Sequence, residues 1–342
     1  MLSEWIEQVE KGLHLSPIEA QSALDDLFSE VSDDELREKF LLALAKKGEC
    51  VEEICAFSRG MMARCARVEL PKGGLDLCGT GGSGLERFNV STTAAFVLAS
   101  MGVGVVKHGN RGSKKANGSF DLLEKLGVDL SLSPDEQARA FERNRLCFLF
   151  TRAHHPAVKI VGPARAKIAR RTIFNLVGPL CNPAGIEHQV LGVSELRLGP
   201  IMAEVLKQLG RSKAAVVWGA PGIDEFSATG ESKVWWVDKG EIWTETVTPN
   251  DFAFLPVPWE NLPKGDCEQN AQIFKSLLMG HPQAGLDNMV ALNAAAGLVV
   301  AGFCGNLKDA FREAHQQLAS GRVHDFFQRV LQTYDRRGNL GN

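Results

Sequence analysis

The sequence predicts an α/β protein in which a small helical N-terminal domain precedes a larger α/β domain, whose mostly parallel central sheet is flanked by helices. The first 66 residues show only helical patterns, whereas from Leu75 short apolar strands alternate with helices. That alternation is typical of parallel strands joined by crossover helices. Between the two regions, Pro71–Gly74 breaks the pattern. We therefore predict a helical domain at residues 1–70, which part of residues 160–187 joins, and an α/β domain at residues 71–342.

The helical segments are marked by their start signals. Ser16–Glu19 combines a capping serine, a proline at the first helical position and a glutamate at the third. Ser32–Glu35 repeats this capping pattern, and Val51–Cys65 supplies a further helix. Near the C-terminus, Leu286–Phe303 is so apolar that we expect a buried helix.

Seven short apolar stretches are predicted to be strands. They are Leu75–Cys78, Val103–Val106, Cys147–Phe150, Gln189–Val193, Ala214–Trp218, Lys233–Val237 and Glu241–Val247. Helices are predicted between these strands, at 91–101, 118–126, 134–143 and 197–209. Asp238–Gly240 joins the last two strands in a predicted hairpin at the edge of the sheet.

The bulk composition argues against several classes of partner. A net charge of −3 gives no global electrostatic attraction to nucleic acid or to an acidic membrane surface. The eight cysteines form no Cys-x-x-Cys pair and lie mostly in apolar segments, which favours buried free thiols in a reducing compartment. The N-terminus is acidic and amphipathic, unlike a secretory leader, and no apolar run reaches about 18 residues. We therefore expect a cytoplasmic protein that does not associate with membranes.

A glycine-rich turn follows the first predicted strand. Gly79–Gly84 contains four glycines, which allow positive φ angles and a close approach of the backbone to an anion. The turn could serve only to reverse the chain. However, Asn89, Ser91 and Thr92 stand where the next helix should begin, and a helix N-terminus also attracts anions. Together these segments predict a phosphate-binding site.

A basic segment follows the second predicted strand. Lys107–Arg111 carries two formal positive charges and the imidazole of His108, beside the glycine-rich turn. A solvated turn is the alternative, but three anion-binding elements at successive strand ends favour a site. Lys114 and Lys115 stay open between exposed loop lysines and members of that site.

A pair of carboxylates follows another strand of the predicted sheet. Asp224 and Glu225 come after the Ala214–Trp218 strand and a Gly/Pro turn. Such a pair is often a surface feature. Mg²⁺, however, takes one or two carboxylates together with ligand phosphates, and open α/β sheets bind ligands at the carboxyl ends of their strands.

Taken together, these segments resemble the anthranilate phosphoribosyltransferases, in order and over nearly the whole chain. The matching motifs are Gly79–Gly82, Asn89–Thr92, Lys107–Arg111, Gly118-Ser119 with Asp121, His155–Ala157, Arg165, Arg171–Asn175, Gly178–Leu180, Asn182–Ala184 and Gly222–Glu225.

The resemblance implies a helical domain that forms a homodimer, and an α/β domain that binds 5-phosphoribosyl 1-diphosphate (PRPP) and Mg²⁺. The donor-binding residues that it implies are Gly79, Asn89, Ser91, Thr92, Lys107 and Ser119. To these we add four residues of the phosphate loops, namely Gly82, Ser83, Lys114 and Lys115. The implied acceptor-binding residues are Gly79, His108, Asn110 and Arg165, and the implied Mg²⁺ ligands are Ser91, Asp224 and Glu225. Arg165 suits a carboxylate, because a guanidinium can pair with it through two hydrogen bonds.

The chain departs from the family mainly in the phosphate loops. It has Ser83 where the family has aspartate, Arg87 where it has threonine or serine, two lysines in place of two serines, and Thr151-Arg152 in place of Ala-Pro. Most of these changes add positive charge or remove negative charge. Either lysines replace part of the role of the metal in an unchanged reaction, or the chain binds another anionic ligand. The retained Asn110, Arg165 and Asp224-Glu225 favour the first explanation.

The leading functional hypothesis is the transfer of phosphoribose from PRPP to anthranilate, which gives N-(5-phosphoribosyl)anthranilate and diphosphate. One alternative is a diverged phosphoribosyltransferase or a nucleoside phosphorylase with another acceptor. A third hypothesis is a non-catalytic paralogue that binds nucleic acid through Arg87, Lys114, Lys115 and Arg152. The negative net charge argues against this hypothesis.

Overall fold

The computed structural model describes residues 1–71, 74–112 and 116–334. Lys72 and Gly73 of the predicted domain boundary, and Lys114 and Lys115 of the predicted site, lie outside these residues. Within the described residues the chain forms seven strands: β1 Leu75–Gly79, β2 Val105–Gly109, β3 Leu146–Phe150, β4 His188–Gly192, β5 Lys213–Gly219, β6 Ser232–Asp238 and β7 Glu241–Val247.

Fifteen α-helices accompany the strands in the same described ranges. They are α1 Leu2–Glu10, α2 Pro17–Phe28, α3 Asp34–Lys47, α4 Val51–Ala63, α5 Val90–Ser100, α6 Ser119–Lys125, α7 Pro134–Asn144, α8 Thr151–His154, α9 Gly162–Lys167, α10 Ile173–Val177, α11 Leu198–Gln208, α12 Cys267–Leu278, α13 Leu286–Val300, α14 Leu307–Ala319 and α15 Arg322–Tyr334. The predicted fold class is confirmed.

All seven strands belong to one sheet with the order β3-β2-β1-β4-β5-β6-β7. The strands β1 to β5 run parallel, and β6 and β7 form an antiparallel hairpin at one edge, as predicted. From β1 the chain crosses through α5 to β2 on one side, whereas β4 pairs with the other side of β1. The strand order therefore reverses between β1 and β4, and a crevice opens there at the carboxyl ends of the strands.

The predicted capping signals of the N-terminal helices are formed. The Ser16 hydroxyl accepts the Glu19 N–H at 3.4 Å, and a Glu19 carboxylate oxygen accepts the Ser16 N–H at 2.8 Å. At α3 the N-cap residue is Asp33, whose carboxylate accepts the Leu36 N–H at 2.8 Å. A buried ion pair ties this region together, because Lys47 Nζ lies 2.9 Å from both carboxylate oxygens of Glu53. Removing one partner of such a pair destabilises the fold, because the other charge is left buried and unpaired.

Two large apolar cores lie on opposite faces of the sheet. One surrounds α5 and α13 and includes α12, α14 and α15, and α13 is the buried helix that its apolar sequence predicts. The other joins α1 to α4 with residues 161–181 and with α11. Phe174 of α10 packs against Phe28 and Phe57, with ring centroids 6.2 and 6.4 Å apart. This packing supports grouping part of residues 160–187 with the helical region, which we propose as a domain.

All eight cysteines lie in the described residues and carry free thiols, but the predicted burial holds fully for only three of them, Cys55, Cys147 and Cys181, and the other five are half-buried. Among the helices of the described residues, none has the length and apolar character needed to cross a bilayer.

Candidate active site

A cleft of about 450 Å³ opens at the crevice between β1 and β4. Most of the predicted site residues line it: Gly79, Asn89, Ser91, Thr92, Lys107, His108, Asn110, Ser119, Arg165, Asp224 and Glu225. Gly82 and Ser83 belong to the glycine-rich turn but are not part of the cleft wall. One side of the cleft therefore comes from strand ends of the sheet, and the opposite side comes from Met61 of α4 and from α9 and α10.

The glycine-rich turn follows β1 directly and needs its glycines. Gly81, Gly82 and Gly84 have φ angles of +66°, +86° and +70°, which L side chains rarely adopt. Gly79 is required for a different reason, since a Cβ atom there would lie 2.0 Å from Asp224 Oδ2. The Gly81 N–H donates to that same oxygen at 2.8 Å. The turn and Asp224 are thus fitted to each other.

The start of α5 places polar atoms in the cleft wall. Asn89 is the N-cap residue, and its side-chain amide donates to the Asn117 carbonyl at 3.3 Å. The Asn89 carbonyl oxygen Oδ1 and the Thr92 hydroxyl are buried, and neither has a hydrogen-bond partner among the described residues. Because buried polar atoms are normally paired, a polar ligand is expected here.

Lys107 reaches across from β2 to β1 and α5. Its Nζ donates to the Leu77 carbonyl at 2.8 Å and to the Ser91 hydroxyl at 3.3 Å. Burial lowers the pKa of Lys107, while the nearby Asp76 carboxylate opposes this shift. Lys107 therefore positions Ser91 from below and adds positive charge to the floor of the cleft.

Asp224 and Glu225 lie in the loop between β5 and β6, and a buried amide fixes this loop. The Asn293 side chain of α13 accepts the Phe226 N–H at 2.9 Å and donates to the Phe226 carbonyl at 2.9 Å. Two hydrogen bonds to the residue that follows Glu225 hold both carboxylates in place. Sequence reasoning missed Asn293, which lies 67 residues from Phe226 in the chain.

Asp224 and Glu225 differ in how their charges are satisfied. Burial opposes ionisation of Asp224, but the paired Arg87 guanidinium holds the pKa of Asp224 below its usual value. Burial raises the pKa of Glu225 to about 7. One Glu225 oxygen accepts the Ser91 N–H at 3.2 Å, whereas Oε2 is buried and has no partner among the described residues. An unpaired buried carboxylate oxygen beside a hydroxyl fits a divalent cation.

His108 is held as a neutral imidazole. The Thr151 hydroxyl donates to the Gly109 carbonyl at 2.7 Å and lies 3.1 Å from His108 Nε2, so Nε2 carries the proton and donates to Thr151. Burial, with His155 nearby, holds the pKa of His108 well below its usual value. The sequence marks Thr151 only as a departure from the family and does not indicate its contact with His108.

The opposite wall of the cleft carries an unpaired cation. The Arg165 guanidinium lies over the Phe174 ring, 5.0 Å from its centroid, and makes no salt bridge within the described ranges. Asn110 stands at the exposed rim, where its side chain accepts the Arg111 N–H at 2.9 Å. Arg111 itself pairs with Glu124 outside the cleft floor, at 2.5 and 2.8 Å.

The comparisons with known proteins agree with this arrangement. The family described as a glycosyl transferase family, a/b domain, matches residues 72–324. An anthranilate phosphoribosyltransferase of Rubrobacter xylanophilus is 38% identical over 341 residues, which cover 100% of each chain. The crystal structure of anthranilate phosphoribosyltransferase from Thermus thermophilus has a TM-score of 0.89 and 38% identity, and covers 96% of this chain and 99% of that one. The Saccharomyces cerevisiae enzyme in complex with PRPP and Mg shares the fold, with a TM-score of 0.88, 24% identity and 97% coverage of both chains. On these matches and on the motifs it retains, the chain belongs to the anthranilate phosphoribosyltransferase family.

Proposed function

We propose that this chain transfers the phosphoribosyl group of PRPP to the amino group of anthranilate, with release of diphosphate. The observation that carries the proposal is the pairing of two features across one cleft. A glycine-rich turn with two buried carboxylates faces an unpaired guanidinium, that of Arg165, on the other wall. The first suits a metal-bound diphosphate, and the second suits the carboxylate of the acceptor.

The donor site is assigned to the sheet side of the cleft. Asn89, Ser91 and Thr92 at the start of α5 present polar side chains and a helix N-terminus to phosphate oxygens. Lys107 adds charge from the floor, and Ser119, at the start of α6, stands across from them. Gly79 lets the backbone approach the ligand closely.

Of the three predicted ligands Ser91, Asp224 and Glu225, we assign the cofactor Mg²⁺ to Ser91 and Glu225, because Asp224 is paired with Arg87. The unpaired Oε2 of Glu225 and the adjacent Ser91 hydroxyl fit it, and the yeast relative is described with PRPP and Mg. When bound, Mg²⁺ neutralises charge on the diphosphate and so makes it a better leaving group.

The acceptor site is assigned to the helical side of the cleft. Arg165 pairs with the carboxylate of anthranilate, and Asn110 and His108 contact the acceptor from the end of β2. In this orientation a bond forms from the amine nitrogen to C1 of the ribose, while the bond from C1 to the diphosphate oxygen breaks and its electron pair leaves with diphosphate. The nitrogen then releases one of its protons. Catalysis then rests on holding the amine against C1 and on stabilising the departing anion.

The remaining assignments concern the setting of the enzyme. We infer that it acts in the cytoplasm as a homodimer formed through the helical domain of residues 1–70, and that it binds neither nucleic acid nor membranes. The net charge of −3 and the free thiols support the compartment and the absence of a nucleic-acid partner.

The proposal is tested by following product formation from anthranilate and PRPP with Mg²⁺. We expect turnover by the wild type, and loss of turnover or a strongly shifted Mg²⁺ requirement when Asp224→Asn is combined with Glu225→Gln. A folded wild type that binds PRPP and does not consume anthranilate would favour another acceptor. Salt-dependent binding of DNA without turnover would instead support the non-catalytic alternative.

A further inference from the structure

Building on this proposed function, we propose that Arg87 is a built-in cation of the donor site. Its guanidinium occupies the side of Asp224 where a divalent ion would otherwise bind, and it bridges that carboxylate to the diphosphate of the donor. The chain then binds its donor with one divalent ion fewer than it would with an uncharged residue at position 87.

Close contacts hold Asp224 in place. Its Oδ2 accepts the Gly81 N–H at 2.8 Å. Gly79 and Gly192 lie close to the same residue. A Cβ atom at Gly79 would lie 2.0 Å from Asp224 Oδ2, and a Cβ atom at Gly192 would lie 1.7 Å from the Asp224 carbonyl oxygen. Oδ2 is thus held by the Gly81 N–H, and Oδ1 is the carboxylate oxygen on the Arg87 side. Arg87 Nη1 is hydrogen-bonded to that oxygen.

Glu225 provides the contrast within the same site. Its Oε2 is buried and has no partner among the described residues, and its Oε1 accepts only the Ser91 N–H. Of the two adjacent carboxylates, one is therefore paired with an arginine and the other keeps an oxygen for a metal. The geometry assigns a single divalent ion to the Glu225 side.

Arg87 is also placed to touch the ligand. The side chain of Asp224 is only 2% exposed, but that of Arg87 is 25% exposed and lines the cleft. Nη1 makes the contact with Asp224, and the other guanidinium N–H groups make no hydrogen bond within the described ranges. A planar guanidinium with free N–H groups can pair with two phosphate oxygens, as a bridging metal ion does.

The alternative is that Arg87 pairs with Asp224 only in the absence of the donor and is displaced when the donor and its metal bind. The two cases differ in the number of ions bound with diphosphate. If Arg87 stays, the wild type binds fewer divalent ions than a variant without the guanidinium. If Arg87 is displaced, the wild type and the variant bind the same number of ions.

The test counts Mn²⁺ ions bound per chain by the loss of the free Mn²⁺ electron paramagnetic resonance signal, with saturating inorganic diphosphate as the probe. We expect Arg87→Thr to bind one more Mn²⁺ than the wild type, and Asp224→Asn added to Arg87→Thr to remove that ion. Arg87→Lys keeps a cation and should behave as the wild type. Arg312→Thr is the matched control, because Arg312 pairs with Asp309 on the exposed surface of α14.

A second measurement uses calorimetry of diphosphate binding without metal. The wild type should bind at least about tenfold more tightly than Arg87→Thr. Equal Mn²⁺ counts and equal metal-free affinities in the wild type and folded Arg87→Thr would overturn the proposal. Neither readout requires anthranilate, so a wrong acceptor in the proposed function leaves this test intact.

Discussion

Arg165→Ala separates the two substrates of the proposed reaction. Arg165 lies on the wall opposite the donor site, stacks on Phe174 at 5.0 Å and has no carboxylate partner among the described residues. Removing it therefore leaves no protein charge unpaired. The structural cost is the lost cation–π contact, about 0.5–1 kcal/mol at a partly exposed position.

The functional cost is larger, because the acceptor carboxylate loses a charged partner. Hydrogen bonds to charged groups contribute about 1.5–3 kcal/mol, and each 1.4 kcal/mol is a factor of ten in affinity. We therefore expect kcat/KM for anthranilate to fall roughly 10- to 150-fold, mostly through KM, with little change in KM for PRPP.

The assay is steady-state kinetics with each substrate varied in turn, supported by thermal unfolding of the variant. Arg170→Ala is the matched control, because Arg170 contacts the Ala45 carbonyl and does not line the cleft. An equal loss for both substrates, or none for either, would remove Arg165 from the acceptor site.

Two further predictions follow from the donor side of the cleft. Because burial raises the pKa of Glu225 to about 7, the folded chain binds this proton more tightly than the unfolded chain, and metal-free stability should fall as pH rises from about 4.5 to 7. Chemical denaturation across that range should show a shallower slope for Glu225→Gln, and an unchanged slope would refute the assignment. Gly79→Ala should lower the free energy of unfolding by about 1–3 kcal/mol and displace Asp224, since its Cβ would lie 2.0 Å from Oδ2. The control Gly305→Ala, with open space around it, should cost far less, and equal costs would contradict the steric argument.

The sequence predicts most of the fold because local patterns carry it. Apolar strands that alternate with capped helices define the parallel sheet, and the Asp238–Gly240 turn defines the edge hairpin. The strand order follows less directly, since the pairing of β1 with β4 joins segments more than 100 residues apart. The same pairing creates the cleft. The sequence therefore predicts which residues belong to the cleft, but it does not predict which of them contact one another.

The missed contacts join residues that are far apart in the sequence. Asn293 is one polar residue inside an apolar helix, and nothing near it in sequence shows that it fixes the loop after Glu225. The role of Thr151 depends on the pairing of β3 with β2. This pairing brings the Thr151 hydroxyl to His108, where it sets the tautomer of the imidazole. Both residues position a group of the cleft without any motif of their own.

Arg87 shows how the structure changes a conclusion drawn from charge alone. The sequence contains a gain of positive charge in the phosphate loops and suggests lysines in place of part of the metal. The structure brings Arg87 to Asp224, 137 residues away in the chain, whereas Lys114 and Lys115 lie outside the described residues and their role stays a prediction. Of the positive charges gained in these loops, Arg87 is the one that contacts a predicted Mg²⁺ ligand among the described residues. The effect of an added charge therefore depends on which carboxylate it reaches, and the sequence does not show this because Arg87 and Asp224 are far apart in the chain.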